Sequence, residues 1–258
     1  MTSFYVAEGS QFVSSELTRG PWNPEYQHAG PPSALLACVV ERSLPPEMAV
    51  ARLTVELLRP IPLATFQITT QVLRAGRKVQ WLSADLLSAG TVLARAHAVA
   101  IRTAELPLPV KGDPVADPVA SPADSAPFQF DFFRSEVGYH TGMEGRLARG
   151  RVGKGPVAMW MRMRYPLLPG EAPSPLQRVM IASDSGNGVS QVLDPRRFTF
   201  VNPDLTVYLH RPPAGEWVCL DARTIPQERG IGLADTRLLD EEGPIGRSVQ
   251  SLVIEKPG

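Results

Sequence analysis

Cysteine is scarce in this chain. There are two cysteines in 258 residues, Cys38 and Cys219, each inside an apolar run. Thiols in such surroundings read as small buried side chains, not as a disulfide framework. They have no metal-ligand spacing, and the four histidines (His28, His97, His140, His210) stand singly, so no metal site is expected. An excess of either charge is missing too, with 26 basic and 26 acidic residues, so nothing points to nucleic acid or an anionic membrane as partner. The basic stretch from Arg146 to Lys154 reads as a solvated strand and turn. Long apolar runs are absent. The longest, "ALLACVV" (Ala34 to Val40), is far too short to span a bilayer, so no membrane insertion is expected. The opening "MTSFYVAEGS" has no basic region leading into an apolar one, so no signal peptide is read there and a cytoplasmic protein is expected. Catalytic signatures are thin as well. G-x-S-x-G is absent, which removes the usual serine hydrolase elbow. "GRVGKGP" has the wrong spacing for a phosphate loop and Pro156 in place of its Ser or Thr. "DSGNG" lacks the alternating acids and distal Glu of a calcium loop.

What is present is a repeat. "LTVELLRP" (Leu53 to Pro60) and "LTVYLHRP" (Leu205 to Pro212) agree at six of eight positions, at an offset of 152. Keeping that offset without gaps sets Arg77 on Arg229, Leu86-Leu87 on Leu238-Leu239 and Arg95 on Arg247. Self-similarity of this length gives two copies of one unit, not a solenoid. Between the copies lies a stretch rich in Pro, Ala and Asp with no sustained period, which reads as an extended linker. The expected division is an N-terminal half 1–104, a linker 105–127 and a C-terminal half 128–258. The 43% hydrophobic and 20% charged composition fits a soluble globular protein of that size.

Each half reads alike: an opening strand region, one strongly apolar helix, then a run of long strands. The helices are "PPSALLACVVERSL" and "SPLQRVMIASDS". Turns fall at "LRAGRK", "LSAGT" and "LDEEGP". The first helix is apolar nearly all round, so most of its sides should be buried. A buried helix followed by antiparallel strands means a sheet wrapped around that helix, which is the hotdog fold. The expected fold class is therefore α+β, a double hotdog.

Three polar residues fall where apolar ones are expected. Asp184 follows Leu176, Val179 and Met180 on a helix opened by Ser174-Pro175, just before Ser185-Gly186-Asn187-Gly188 loosens it. Thr224 ends the core-facing row Val218, Leu220, Ala222. Gln250 shares a core face with Leu252 and Ile254, where an unpartnered amide costs about 1–3 kcal/mol. The repeat is an internal control: the same positions in the first copy hold Pro32, Val72 and Ala98. The bland readings are an acid at a fraying helix end and a satisfied buried polar network. The functional reading is a site that only the second copy carries.

The segments "ASDSG", "VYLHRP", "GEWVCLDART" and "GIGLADTRLLDEEGPIGRSVQSLVIE", with "HAGPPSALL" and "LTVELLRPIP" in the first half, resemble the acyl-CoA thioesterase II (TesB-like) family of the hotdog superfamily. The resemblance covers both halves. It implies hydrolysis of acyl-CoA thioesters to free acid and CoA, without a cofactor, in fatty acid or lipid metabolism. It also implies a water held by three catalytic residues that fall on Asp184, Thr224 and Gln250, with Asp184 as general base. Oxyanion or substrate-binding groups would come from the first helix start, at His28 and Gly30, because Pro31 and Pro32 have no N–H. A hotdog hydratase would pair an Asp with a His five residues on, and no histidine here is so placed. The competing reading is a non-catalytic double hotdog that binds acyl-CoA or another acyl ligand. A homodimer through an outer sheet is left open.

Overall fold

In the computed structural model, residues 2–107, 109 and 118–256 are described. The first part of the chain runs β1 (Tyr5–Glu8), β2 (Gln11–Ser14), α1 (Gly30–Arg42), β3 (Met48–Leu57), β4 (Thr65–Arg74), β5 (Val79–Ser88) and β6 (Thr91–Arg102). After β7 (Ala126–Phe128) come a single turn α2 (Tyr139–Gly142), β8 (Met143–Gly150), β9 (Val157–Met163) and α3 (Pro175–Ser183). Next are α4 (Gly186–Ser190), β10 (Thr199–Val201), β11 (Asp204–Leu209), β12 (Val218–Pro226), β13 (Ile231–Asp240) and β14 (Gly243–Glu255). Of the expected linker, residues 108 and 110–117 lie outside the described residues. Its far end packs on the C-terminal half: β7 pairs with β8, and the Trp160 indole N–H donates to the Ala120 carbonyl at 2.8 Å.

The strands form one antiparallel sheet in the order β1-β2-β4-β5-β6-β3-β11-β14-β13-β12-β9-β8-β7, with β10 beside β14. Helices α1 and α3 lie inside it, side by side and antiparallel. The start of α1 meets the end of α3 at Gly30 and Ile181, and the end of α1 meets the start of α3, where the Ser174 hydroxyl donates to Glu41 at 2.6 Å. Every residue of Ala34 to Val40 is buried except Val39, as an all-round apolar helix requires. This is the double hotdog that the strand and helix order leads one to expect. Among the described residues no helix is long and apolar enough to cross a membrane.

The seam between the copies is the pair β3 and β11, where Leu53 faces Val207, Thr54 faces Thr206 and Val55 faces Leu205. At the offset of 152 these residues are one another's counterparts, so a local two-fold axis passes through the Thr54–Thr206 pair. The match extends outward. β5 and β13 correspond end to end, and the row Val72, Leu82, Ala98 across β4, β5 and β6 corresponds to Thr224, Ala234, Gln250 across β12, β13 and β14. The first row is apolar throughout; the second carries the two polar residues.

Candidate active site

Helix α3 starts as its sequence suggests, with Pro175 in the first turn and the Ser174 hydroxyl accepting the Gln177 N–H at 3.1 Å. It stops at Ser183, leaving Asp184 as its C-terminal cap, and the chain turns into α4 at Gly186. The start of α4 is tightly packed. A Cβ at Gly186 would sit 2.7 Å from the Thr236 hydroxyl, so only glycine lets the backbone pass that close to β13. Asp184 is therefore held at a helix junction, 7% exposed, rather than fraying into solvent.

Its carboxylate is heavily engaged. Oδ1 accepts from the Asn202 amide at 2.9 Å and from the Gln250 amide at 3.2 Å, and Oδ2 lies 3.0 Å from His28 Nδ1. Gln250, 1% exposed, is fully satisfied. Its Nε2 also donates to the Asp184 carbonyl at 3.2 Å, and its Oε1 accepts the Asn187 N–H at 3.1 Å. That pattern fixes which end of the amide faces the acid, since a flipped amide would set oxygen against oxygen.

Thr224 stands apart from this pair. It lies in register with Gln250 but two strands away, roughly 9–10 Å at the usual strand spacing. Its hydroxyl lies 2.8 Å from the Ser190 hydroxyl and donates to Asn187 Oδ1 at 3.3 Å. Asn187 is thus the bridge, with its side chain on Thr224 and its backbone on Gln250. The structure brings Asp184, Gln250 and His28 into direct contact and joins Thr224 to them through one intermediary.

His28 arrives from the first half, two residues before α1. Its ring stacks flat on Tyr139, with centroids 3.8 Å apart and planes parallel. The Tyr139 hydroxyl donates to the Ile181 carbonyl at 2.8 Å and lies 2.8 Å from the Ser185 hydroxyl. Burial lowers the pKa of the imidazole below its ordinary value, against the opposing pull of Asp184. Burial likewise pushes the Tyr139 phenol well above its ordinary value, so it stays protonated. Gly30 sits against the Ile181 carbonyl with no room for a Cβ, and its N–H donates to His28 Nδ1 at 3.1 Å. Among the described residues no three metal-ligating side chains gather.

Sequence reasoning did not reach Asn202, Asn187, Ser190 or Tyr139. Asn187 lies in the stretch read only as loosening the helix. Asn202 precedes a proline at the start of the repeat strand, and its short polar side chain was a visible signal. Tyr139 carries none, because its place depends on a turn anchored to the first half, where its N–H donates to the Arg19 carbonyl.

The chain is similar in fold to several solved structures. A conserved hotdog protein of unknown function from Alicyclobacillus acidocaldarius matches at TM-score 0.76 and 19% identity, over 98% of this chain and 96% of that one. A putative thioesterase from Novosphingobium aromaticivorans matches at 0.71 and 19%, over 97% and 98%. An acyl-CoA thioesterase II from Mycobacterium marinum matches at 0.68 and 18%, over 97% and 95%. No curated protein matches the chain. Residues 18–102 match the family model of the acyl-CoA thioesterase N-terminal domain, and residues 112–254 that of the acyl-CoA thioesterase C-terminal domain. With its fold and both of its parts so matched, the chain belongs to the acyl-CoA thioesterase family.

Proposed function

We propose that the protein hydrolyses acyl-CoA thioesters, with Asp184 as the general base. One observation carries this reading: a buried carboxylate whose Oδ1 accepts from the Asn202 and Gln250 amides while Oδ2, 3.0 Å from His28 Nδ1, keeps lone-pair room for a water. A water bound there gives its proton to Asp184 as its oxygen attacks the thioester carbonyl. The C–O bond forms, the C–S bond breaks, and the proton passes on to the leaving CoA thiolate, giving acid and CoA. General-base assistance of this kind contributes about 10²–10⁴-fold.

Gln250 serves this step by fixing the carboxylate and Thr224 by fixing Asn187, so that the water is held near attack geometry. The oxyanion takes the Gly30 N–H at the start of α1, in exchange for that group's bond to His28 Nδ1. The next two residues, Pro31 and Pro32, have none, and the Ser33 N–H is spent on the Ala29 carbonyl. In this reading the chain is two hotdog halves, 1–104 and 128–258, in which the second supplies the base and the first supplies the oxyanion donor. The ligand is acyl-CoA, the setting is the cytoplasm, and no cofactor takes part.

The test is thioester hydrolysis across a panel from acetyl-CoA to palmitoyl-CoA, wild type beside Asp184→Asn. The expected outcome is turnover by the wild type and a loss of at least about 100-fold in the folded variant. Wild-type binding of acyl-CoA without turnover overturns the reading in favour of an acyl-CoA binding protein.

A further inference from the structure

Asp184 Oδ1 is held from two sides, and the shorter bond is not the one from Gln250. The Asn202 amide reaches it at 2.9 Å, the Gln250 amide at 3.2 Å. Asn202 Nδ2 also donates to the Asp204 carbonyl at 3.2 Å. A carboxylate and a carbonyl both only accept, so the nitrogen of this amide must be the atom that faces them. Two amide N–H groups fill the two lone pairs of one carboxylate oxygen. We propose that Asn202 is a positioning residue of the site: by closing Oδ1 together with Gln250, it leaves Oδ2 as the oxygen that takes the proton of the attacking water. This rests on the reading of Asp184 as the base.

The repeat shows how Asn202 comes to point there. At the offset of 152, β3 corresponds to the run 200–209, and its pairing with β6 shifts register between Val50 and Arg52. The matching residues, Asn202 to Asp204, are where the second copy parts into β10 and β11, which both pair with β14. Such an irregularity re-aims a side chain out of the ladder. In the first copy the re-aimed residue is Val50; in the copy that carries the acid it is an amide. The segment is also well tied. Asn202 precedes Pro203, which restricts its backbone to extended conformations. The Pro203 carbonyl accepts the Leu57 N–H of β3 at 2.7 Å, and Asp204 Oδ1 accepts the Ser251 N–H, next to Gln250, at 2.8 Å. The two amides on Oδ1 are thereby fixed relative to each other.

The consequence is directional. Oδ2 is the oxygen that lies 3.0 Å from His28, beside the start of α1. A water on Oδ2 is on the side of the first half, where the oxyanion donor is assigned. A water on Oδ1 would be on the side of β14 and the β10–β11 connection, away from that donor. Asn202 acts through Asp184 and makes the carboxylate one-sided. A hydrogen bond to an ionised acceptor is roughly twice as strong as one between neutral groups, which suits it to that task.

The experiment is steady-state kinetics on the full chain, with the acyl-CoA that the wild type hydrolyses fastest, for Asn202→Leu and Asn202→Asp. Asn202→Ala stands in reserve should the Leu variant not fold. Leu keeps the shape of Asn and removes the donor. It is expected to lower kcat roughly ten- to hundredfold, the contribution of one hydrogen bond to a charged group, and to leave KM within about threefold. Asp also keeps the shape but sets an acceptor against an acceptor, and its kcat is expected to fall at least as far. A role in packing alone predicts no such split between kcat and KM. A Leu variant with the kcat of the wild type, or one that loses through KM alone, overturns the proposal, as does an Asp variant that matches the wild type. A wild type that hydrolyses no acyl-CoA overturns the thioesterase reading and takes this proposal with it. That result is distinct from an active wild type whose kcat is indifferent to residue 202.

Discussion

Thr54 and Thr206 meet across the β3–β11 seam with their hydroxyls 3.1 Å apart, and each is the other's counterpart in the repeat. A residue that pairs with its own repeat marks the two-fold axis, so the seam is where the halves are most alike. It is also what makes two sheets one. Because both hydroxyls are half-buried, replacing one should leave its partner poorly satisfied. Thr206→Val is expected to cost about 1 kcal/mol in urea unfolding, and the double variant Thr54→Val/Thr206→Val little more. Additive costs in that double-mutant cycle would show that the two hydroxyls are not coupled.

Gln250 and Thr224 differ in rank. Gln250→Ala would strip a donor from Asp184 and leave the buried Asn187 N–H unpartnered, for about 2–4 kcal/mol of stability. A loosened carboxylate is expected to lower kcat/KM by about 100-fold. Thr224→Val touches the acid only through Asn187 and should lose under about 1 kcal/mol and remain within roughly tenfold in activity. Unfolding curves with acyl-CoA kinetics on the same two variants check the order; equal losses would place Thr224 on the reacting water itself.

Gly30→Ala drives a methyl into the Ile181 carbonyl. Overpacking of this kind costs about 1–3 kcal/mol, and here it must also move the start of α1 away from α3. Thermal unfolding should register the loss. Activity should drop further than stability does, since the displaced N–H is the one assigned to the oxyanion.

Stability should decline as pH falls from about 6.5 towards 5.5. His28 and His140 are both held below their ordinary pKa by burial, so the unfolded chain takes up protons in this window that the folded chain refuses. Their contribution is complete above the unfolded value and is lost on acidification. Asp85, Asp235 and Asp240 are shifted down and titrate at lower pH. Glu41, shifted up by burial, acts in the opposite direction above the ordinary glutamate value. Urea midpoints at pH 7.5 and 5.5 measure the slope, and His140→Gln should reduce it. A slope unchanged in that variant would assign the whole effect to His28.

Strand parity made Thr224 and Gln250 visible because β12 and β14 each bury one face, so a polar residue in the buried row stands out. The gapless offset then supplied the apolar comparison at Val72 and Ala98, and the strand pairing follows that offset row for row. Asp184 was visible as an acid on an apolar helix, but the close approach of Gly186 to Thr236 on β13 just after it was not, because it is a tertiary contact. The contact of His28 with Asp184 joins residues far apart in the sequence and is produced by the antiparallel packing of two helices, which no local period encodes. Asn202 and Tyr139 come from connections whose positions are set by tertiary contacts alone.

The apolar row Val72, Leu82, Ala98 has a meaning beyond packing. In an assembly of two identical chains, any change in one copy is a change in both, so every site keeps its acid and its lining or loses them together. Covalent joining removes that constraint. Here one copy carries Asp184 and Gln250, while the other has the start of α1 and, in the matching strand row, Val72, Leu82 and Ala98, of which Val72 is exposed. Under the proposed function, the single chain carries one candidate site built from unlike parts of its two halves.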